Sequence, residues 1–330
     1  MLRVILPLLL AAVLLCPARA AAATVVPVGR AVGIKLFSDG VVVVGTSDIV
    51  TEKGSVNPAK ACGLKEGDII TRINSTEVDT IEEVTALLQE LEGEAMSISA
   101  IRGERELELT ARAVKCSADG AYKLGAWIRD SMAGIGTVTF YCPSTGTFGA
   151  LGHGINDVDT ALLMPMESGT ILPAGVSGVR KGERGAPGQL KGVFDTTVTL
   201  GVLGKNAPCG IFGTAIEKDW LTGPEMETAA REEVRAGKAT IRSNISGDSV
   251  EEYEICILKV YPDSGSECRD FLIEVTDARL LAATGGIVQG MSGSPILQNG
   301  KVVGAVTHVM VDDPTRGYGI WIGDMLGAAG

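Results

Sequence analysis

The sequence predicts a mainly β protein: an N-terminal export segment, a small α+β domain and a larger all-β domain. Three observations carry this prediction. Many short, β-branched, glycine-punctuated runs follow Gly125. A single well-capped amphipathic helix lies among strand patterns in the first third of the chain. An apolar run from Val4 to Leu15 lies near the N-terminus.

The charge composition of the chain bears on which kinds of molecule it can bind. The 330 residues include 29 Lys+Arg and 40 Asp+Glu, giving a net charge of −11, and 45% are hydrophobic. No basic cluster exists that could neutralise a series of phosphates, so nucleic acid is excluded as the expected partner. The apolar content is sufficient for a proper core, which argues against a disordered chain.

Residues 1–22 read as a signal peptide or membrane anchor. Arg3 precedes an apolar run, and Pro17 comes before the small residues Ala18 and Ala20. This layout is typical of a secretory signal with an A-x-A cleavage site, and the run is short for a membrane span. Cleavage is therefore favoured over retention as an anchor, and the rest of the chain is expected on the far side of a membrane.

Cysteine usage favours neither a metal nor a cofactor. Six cysteines follow the N-terminal segment without a C-x-x-C pair, and the chain has two histidines. A zinc site is therefore not expected, and most of these cysteines read as small buried thiols, although an exported chain allows disulfides.

A compact mixed unit is predicted over residues 31–114. Its helix is expected to begin after Thr80, with Glu83 completing a capping box, and to end at Gly93. The stretch "ACGLKEGDIITRINSTEVDTIEEVTALL" resembles a PDZ domain.

That resemblance implies a peptide groove. It implies that one wall is the carboxylate-binding loop and first groove strand, Val32, Gly33, Ile34, Lys35 and Leu36, and that the predicted helix is the other. Such a groove would hold a peptide C-terminus, or the chain's own N-terminal segment, by strand addition. The alternative is that this surface is only a contact between domains.

Residues 120–330 are predicted to form an all-β barrel or sandwich, interrupted by one helical insert over roughly residues 223–236. Within this region "GGIVQGMSGSPILQNGKVVGAVTHV" places two serines in a glycine-rich turn between apolar runs. The turn is either a plain hairpin loop or a turn that presents a catalytic serine nucleophile. Of the two serines, Ser294 is the weaker candidate, because Pro295 biases it toward an extended backbone.

A serine nucleophile needs a base and a group that orients the base. The chain offers His153, in a turn after a strand, and His308, inside the strand that follows the serine turn. Among many acids, Asp277 is the best placed on pattern, because it follows the buried-looking strand "FLIEV". The order His153, Asp277, Ser292 is that of chymotrypsin-like peptidases, which are built from two β-barrels.

The turn "GMSGSP" resembles the G-D-S-G-G-P turn of those enzymes. The resemblance implies that the backbone N–H groups of Gly290 and Ser292 form the oxyanion hole. Thr307 and His308 are candidates for lining the substrate pocket, and a purely structural histidine is an equal alternative for His308.

The closest family resemblance lies in three stretches: "GIGTVTFYCPSTGTFGALGHGINDVDT", "GIFGT" and "TDARLLAATGGIVQGMSGSPILQNGKVVGAVTHVMVDDPTRGYGIWIGDML". They resemble the stage IV sporulation protein B family of serine peptidases. This implies a triad of His153, Asp277 and Ser292, export to the space between forespore and mother cell, self-cleavage, and cleavage of a membrane-bound regulator that activates late sigma-factor processing.

Two alternatives stay open from sequence. The first is an inactive PDZ scaffold that docks membrane partners. The second is a general quality-control protease of the envelope, which would degrade unfolded proteins broadly, whereas a signalling protease would cut at few sites.

Overall fold

The computed structural model describes residues 23–262 and 268–330. The predicted signal or anchor at residues 1–22 lies outside the described residues. Within the described part, no helix is long and apolar enough to cross a membrane.

The elements of the first part of the chain are β1 Thr24–Pro27, β2 Ala31–Thr46, β3 Ile49–Thr51, β4 Gly54–Val56, α1 Pro58–Cys62, β5 Ile69–Ile73, β6 Thr76–Glu77, α2 Ile81–Glu90, β7 Ala95–Arg102, β8 Arg105–Arg112, β9 Val114–Lys115 and β10 Tyr122–Lys123. They are followed by β11 Ala126–Cys142, β12 Thr147–Ala150, β13 Ser168–Arg180, β14 Gln189–Phe194, β15 Gly201–Ala207, β16 Gly210–Ala215 and β17 Met226–Glu227. The last part contains β18 Gly237–Ser246, β19 Ser249–Val260, β20 Phe271–Val275, α3 Ala278–Thr284, β21 Pro295–Gln298, β22 Lys301–Met310, β23 Asp313–Trp321 and α4 Ile322–Ala329. The predicted mainly β class is confirmed.

Two β-barrels form the larger part of the molecule. In the first, antiparallel pairing runs in a closed ring from β2 through β11, β12, β16, β15 and β13 and back to β2. The second is a closed barrel of β18, β19, β20, β23, β22 and β21. Each barrel encloses its own apolar core, and the predicted double barrel is present.

A small domain is inserted between the first two strands of the first barrel. Its core draws on residues from Val41 to Ile128, so it uses the second half of β2 and the beginning of β11. The capping box on α2 is confirmed: the Thr80 hydroxyl accepts from the Glu83 N–H, and the Glu83 carboxylate accepts from the Thr80 N–H. The predicted strand Ile69–Ile73 is also confirmed.

Two segments cross between the predicted ranges 31–114 and 120–330. Residues 31–37 belong to the first barrel, whereas residues 122–128 belong to the inserted domain. A long strand that bends between two domains gives no break in its hydrophobic pattern, so the crossing points were invisible in the sequence.

The prediction of a helix over residues 223–236 is wrong. The segment contains β17 and a single 3₁₀ turn at Arg231–Glu233. Met226 pairs with Val25 of β1, and the Ala229 N–H donates to the Val302 carbonyl. These tertiary hydrogen bonds outweigh the helix propensity of the glutamate- and alanine-rich stretch.

Candidate active site

Ser292 lies in a tight turn between α3 and β21, where the two barrels meet. Gly290 and Gly293 flank it with φ values of +99° and +96°, a region that strongly favours glycine. A Cβ on Gly293 would overlap the carbonyl oxygen of Thr137 and would crowd Leu151. The glycines thus allow the second barrel to press its serine turn against the first.

Thr137 of β11 fixes that turn across the barrel interface. Its N–H donates to the Ser292 carbonyl at 3.0 Å, and its hydroxyl donates to the Gly290 carbonyl at 2.7 Å. Its own carbonyl accepts from the Leu151 N–H, two residues before His153. The buried Thr137 therefore sets the position of the serine turn relative to the loop after β12 that carries His153. The sequence offered no sign of this role beyond a threonine in a strand.

The predicted oxyanion donors are available. Among the described residues, neither the Gly290 N–H nor the Ser292 N–H donates a hydrogen bond, whereas the N–H groups of Met291, Gly293 and Ser294 all do. Because the carbonyl of Gly290 is held by Thr137, the peptide plane on its C-terminal side is fixed. Two free donors at one turn can stabilise a developing negative charge.

His153 follows β12 at a sharp reversal of the chain. Leu151 and Gly152 both have a φ of +69°, and a Cβ on Gly152 would lie 3.0 Å from the Thr307 side chain. The His153 Nδ1 lies 2.8 Å from the Gly154 carbonyl oxygen. A carbonyl can only accept, so Nδ1 carries the proton and Nε2 is left as the basic nitrogen. Burial lowers the pKa of His153, which keeps the imidazole neutral at pH 7.

Thr307 and His308 stand beside these groups on β22. The Ser292 hydroxyl donates to the Thr307 carbonyl at 2.7 Å, and the ring centroids of His308 and His153 are 4.9 Å apart. Burial, together with the neighbouring His153 and Arg269, lowers the pKa of His308 to about 4. Its buried Nδ1 has no hydrogen-bond partner among the described residues.

Asp277 is not brought to the histidine. It caps the N-terminus of α3, where its carboxylate accepts from the Arg279 side chain and from the N–H groups of Glu254, Arg279 and Leu280. The Arg279 guanidinium and these backbone donors lower the pKa of Asp277 to about 2. In this structure the only hydrogen bond of the His153 ring within the described residues goes to Gly154 instead.

The position of β20 explains why Asp277 lies apart. Cys268, which precedes this strand, accepts a hydrogen bond from the Thr307 hydroxyl beside the site. Asp277 follows the other end of the strand. Five strand residues span about 16 Å, so the acid lies toward the opposite end of the barrel.

The histidine loop is held by polar contacts that sequence reasoning did not find. The Asn206 side chain accepts from the Ile155 N–H and donates to the Ile155 and Met164 carbonyls at 2.9–3.0 Å. Arg129 of β11 pairs with Asp157 and Asp159 farther along the same loop. Burial would raise the pKa of Asp157, but hydrogen bonds from Thr160 and the charge of Arg129 lower it.

One cavity of about 380 Å³ unites most of the predicted site residues. It is lined by His153, Gly290, Ser292, Thr307 and His308, together with apolar residues of β11 and of the segment before the serine turn. Ser294 is fully buried and bonds the Ser243 hydroxyl inside the second barrel, away from this cavity. Within the described residues, no group of side chains is arranged to hold a metal ion, and the six cysteines are free thiols.

The prediction that Val32, Gly33, Ile34, Lys35 and Leu36 form a peptide groove is wrong. These residues pair with β11 on one side and with β13 on the other, so no strand edge is open there. Gly33 is small because the Phe194 ring packs against it. The strand pattern was read correctly, but its partners could not be read from the sequence.

A groove does exist elsewhere on the inserted domain. A cavity of about 530 Å³, here called the α2 groove, lies between α2 and residues 122–128. Val84, Thr85 and Leu88 of the helix form one wall, and the turn before β11 and the first residues of that strand form the other. The N–H groups of Leu124 and Gly125 in that turn donate no hydrogen bond to any described residue.

Residues 120–326 match a family model described as SpoIVB peptidase S55. The chain belongs to this peptidase family. Residues 55–102 match a PDZ domain model, within the inserted domain. The peptidase is thus a serine endopeptidase that carries a PDZ domain, as the sequence resemblance implied.

Comparison with individual proteins adds local similarity. The peptidase is 39% identical over 66 residues to the zinc metalloprotease RasP of Shouchella clausii, covering 20% of this chain and 16% of that protein. It is similar to the solved inactive form of the Rv3671c protease, with 15% identity, a TM-score of 0.35 and coverage of 60% of this chain and 85% of that one. The active form, from M. tuberculosis, is 17% identical with a TM-score of 0.33, and the similarity covers 61% of this chain and 75% of that one.

Proposed function

We propose that this peptidase is exported and cleaves itself and a membrane-associated regulatory protein, as a signal between forespore and mother cell that activates late sigma-factor processing. Membership of the SpoIVB peptidase family supports this role. The export-type segment at residues 1–22 supports the location between the two membranes.

The observation that carries the chemistry is the convergence of three elements on one cavity. Ser292, the tautomer-fixed His153 and the free N–H groups at Gly290 and Ser292 all meet there. Nothing else among the described residues combines a hydroxyl, a neutral imidazole and unpaired amide donors in this way.

In the proposed reaction, the Ser292 hydroxyl turns from the Thr307 carbonyl toward His153 and attacks the substrate carbonyl. The His153 Nε2 accepts the serine proton and then gives it to the leaving amine. The N–H groups of Gly290 and Ser292 hold the oxyanion, and loss of one such donor costs about 3 kcal/mol in the barrier. The Gly154 carbonyl, rather than Asp277, fixes the imidazole tautomer.

The PDZ domain supports recognition of a protein partner. We place the peptide in the α2 groove, where unpaired N–H groups of Leu124 and Gly125 can donate hydrogen bonds to a terminal carboxylate. This replaces the groove expected at residues 32–36.

The proposal is tested with the full-length chain and membranes from sporulating cells. Wild type should create few new protein N-termini, including one in its own chain, and both Ser292→Ala and His153→Ala should create none. Ser294→Ala is the matched control and should behave as wild type. Broad degradation would indicate a quality-control protease, and no cleavage by the folded wild type would favour the scaffold alternative.

A further inference from the structure

The long strand β11 has a free edge that faces away from β2. Over residues 126–137, β11 pairs with β2 on one side. On the other side β12 joins only at Val138. Within the described residues, no strand pairs with that second side between Ala126 and Gly136. Ala133 and Gly134, near the middle of this stretch, are exposed to solvent.

The free edge leads from the α2 groove to the active site. Ala126, Trp127 and Ile128 line the groove, whereas Ala133 and Ile135 line the cavity that contains Ser292. The two cavities therefore lie along the same strand.

The backbone orientation of the edge suits an incoming strand. The N–H and carbonyl of Thr137 point away from β2, because they bond Ser292 and Leu151. No register shift interrupts β11 between Ser131 and Thr137. Since successive residues of a strand alternate, the N–H and carbonyl groups of Ile135 and Ala133 point to the same free side. They are available to hydrogen-bond a peptide.

The direction of such a peptide follows from the two ends. A chain antiparallel to β11 runs from Thr137 toward Ala126, so its C-terminus arrives at the turn with the free Leu124 and Gly125 N–H groups. A carboxylate is the group that a pair of unpaired backbone N–H donors binds best. A peptide antiparallel to β11 can therefore pass the active site and place its C-terminal carboxylate in the α2 groove.

We propose that one extended substrate strand occupies the α2 groove and the active site together, with its terminal carboxylate at Leu124 and Gly125 and its scissile bond at Ser292. β11 shifts register against β2 between Trp127 and Ile128 and between Arg129 and Ser131, so a peptide along its free edge pairs in two antiparallel segments. About ten residues separate the carboxylate turn from the position beside Ser292. The enzyme thus cuts about ten residues before a free C-terminus. This inference rests on the proposed function and specifies how its substrate is presented.

The test uses purified full-length protein and a set of synthetic 20-residue peptides of varied sequence, each made as the free acid and as the C-terminal amide. We expect free acids to be cut 8–12 residues from the C-terminus, at least about tenfold faster than their amides, because amidation removes the carboxylate charge. Extending a peptide by four C-terminal residues should move the cut by four residues.

A strand variant provides a second test. Ala133→Pro removes an N–H from the free edge, where proline is tolerated in a strand. It should reduce the ratio of acid to amide cleavage to about one, whereas Ala133→Ser, which keeps the N–H, should retain the ratio. If the proline variant does not fold, the peptide comparison decides alone.

Failure of this inference is distinguishable from failure of the proposed function. If acids and amides are cut equally, or at positions unrelated to the C-terminus, the shared strand is wrong and the peptidase assignment stands. If no peptide of either form is cut although a fluorophosphonate labels Ser292, the shared strand is again overturned. If the fluorophosphonate fails to label Ser292 in the folded protein, the catalytic assignment itself fails.

Discussion

Asp277→Asn separates a structural role for this residue from a catalytic one. Asparagine caps a helix nearly as well as aspartate, so the substitution removes mainly the charge that pairs with Arg279. The pKa of Asp277 is lowered from 3.8 to about 2 in the folded protein, which corresponds to about 2 kcal/mol of stability at neutral pH. We therefore expect Asp277→Asn to lose about 1–2 kcal/mol in unfolding free energy at pH 7.

The pH dependence of this loss has a definite sign. Because the folded-state pKa is depressed, the stabilisation is complete above pH 4 and disappears as the pH falls from 4 toward 2. Wild type and Asp277→Asn should therefore converge in stability over that range. Urea unfolding at several pH values, followed by tryptophan fluorescence, measures both effects.

The catalytic readout is the rate of labelling by a fluorophosphonate. Because Asp277 lies apart from His153, the variant should label within about threefold of wild type. An acid that orients the catalytic histidine contributes about 10⁴-fold in serine proteases. A loss of that size in an Asp277→Asn protein that is still folded under the assay conditions would contradict a purely structural role and would restore Asp277 to the triad.

Three further predictions concern the serine turn and its base. Thr137→Val removes the hydroxyl that holds the Gly290 carbonyl, and labelling of Ser292 should slow by about 10- to 100-fold, with thermal unfolding as the check on folding. Gly293→Ala should cost at least about 3 kcal/mol of stability in urea unfolding, because φ is +96° and the Cβ would overlap the first barrel; wild-type stability would contradict the packing described. The rate of labelling should stay constant from pH 8 down to below 6.5, since burial lowers the pKa of His153, and a midpoint above 6.5 would contradict a buried neutral base.

The sequence predicted the local elements better than their partners. The helix after Thr80 and its capping box were readable, because a cap and a 3.6-residue period are local signals. The strand at residues 32–36 was also readable, but its two neighbours are about 100 and 140 residues away in sequence. Pairing over such distances has no local sequence signal. For this reason a barrel strand that is paired on both sides was predicted to form an open groove.

The active site shows the same division. Ser292 and His153 were found because glycine-rich turns and rare histidines stand out in a sequence. Thr137 and Asn206 were missed, because their hydrogen bonds join segments distant in the chain. Asp277 was chosen by chain order and strand pattern, and neither reveals which end of β20 faces the serine.

The most direct test of the central claim is fluorophosphonate labelling of the purified protein, with the modified residue mapped by mass spectrometry. We expect one adduct, on Ser292, that is absent in His153→Ala and unchanged in Ser294→Ala. An adduct on Ser294, or labelling of Ser292 that persists at the wild-type rate in His153→Ala, would contradict it.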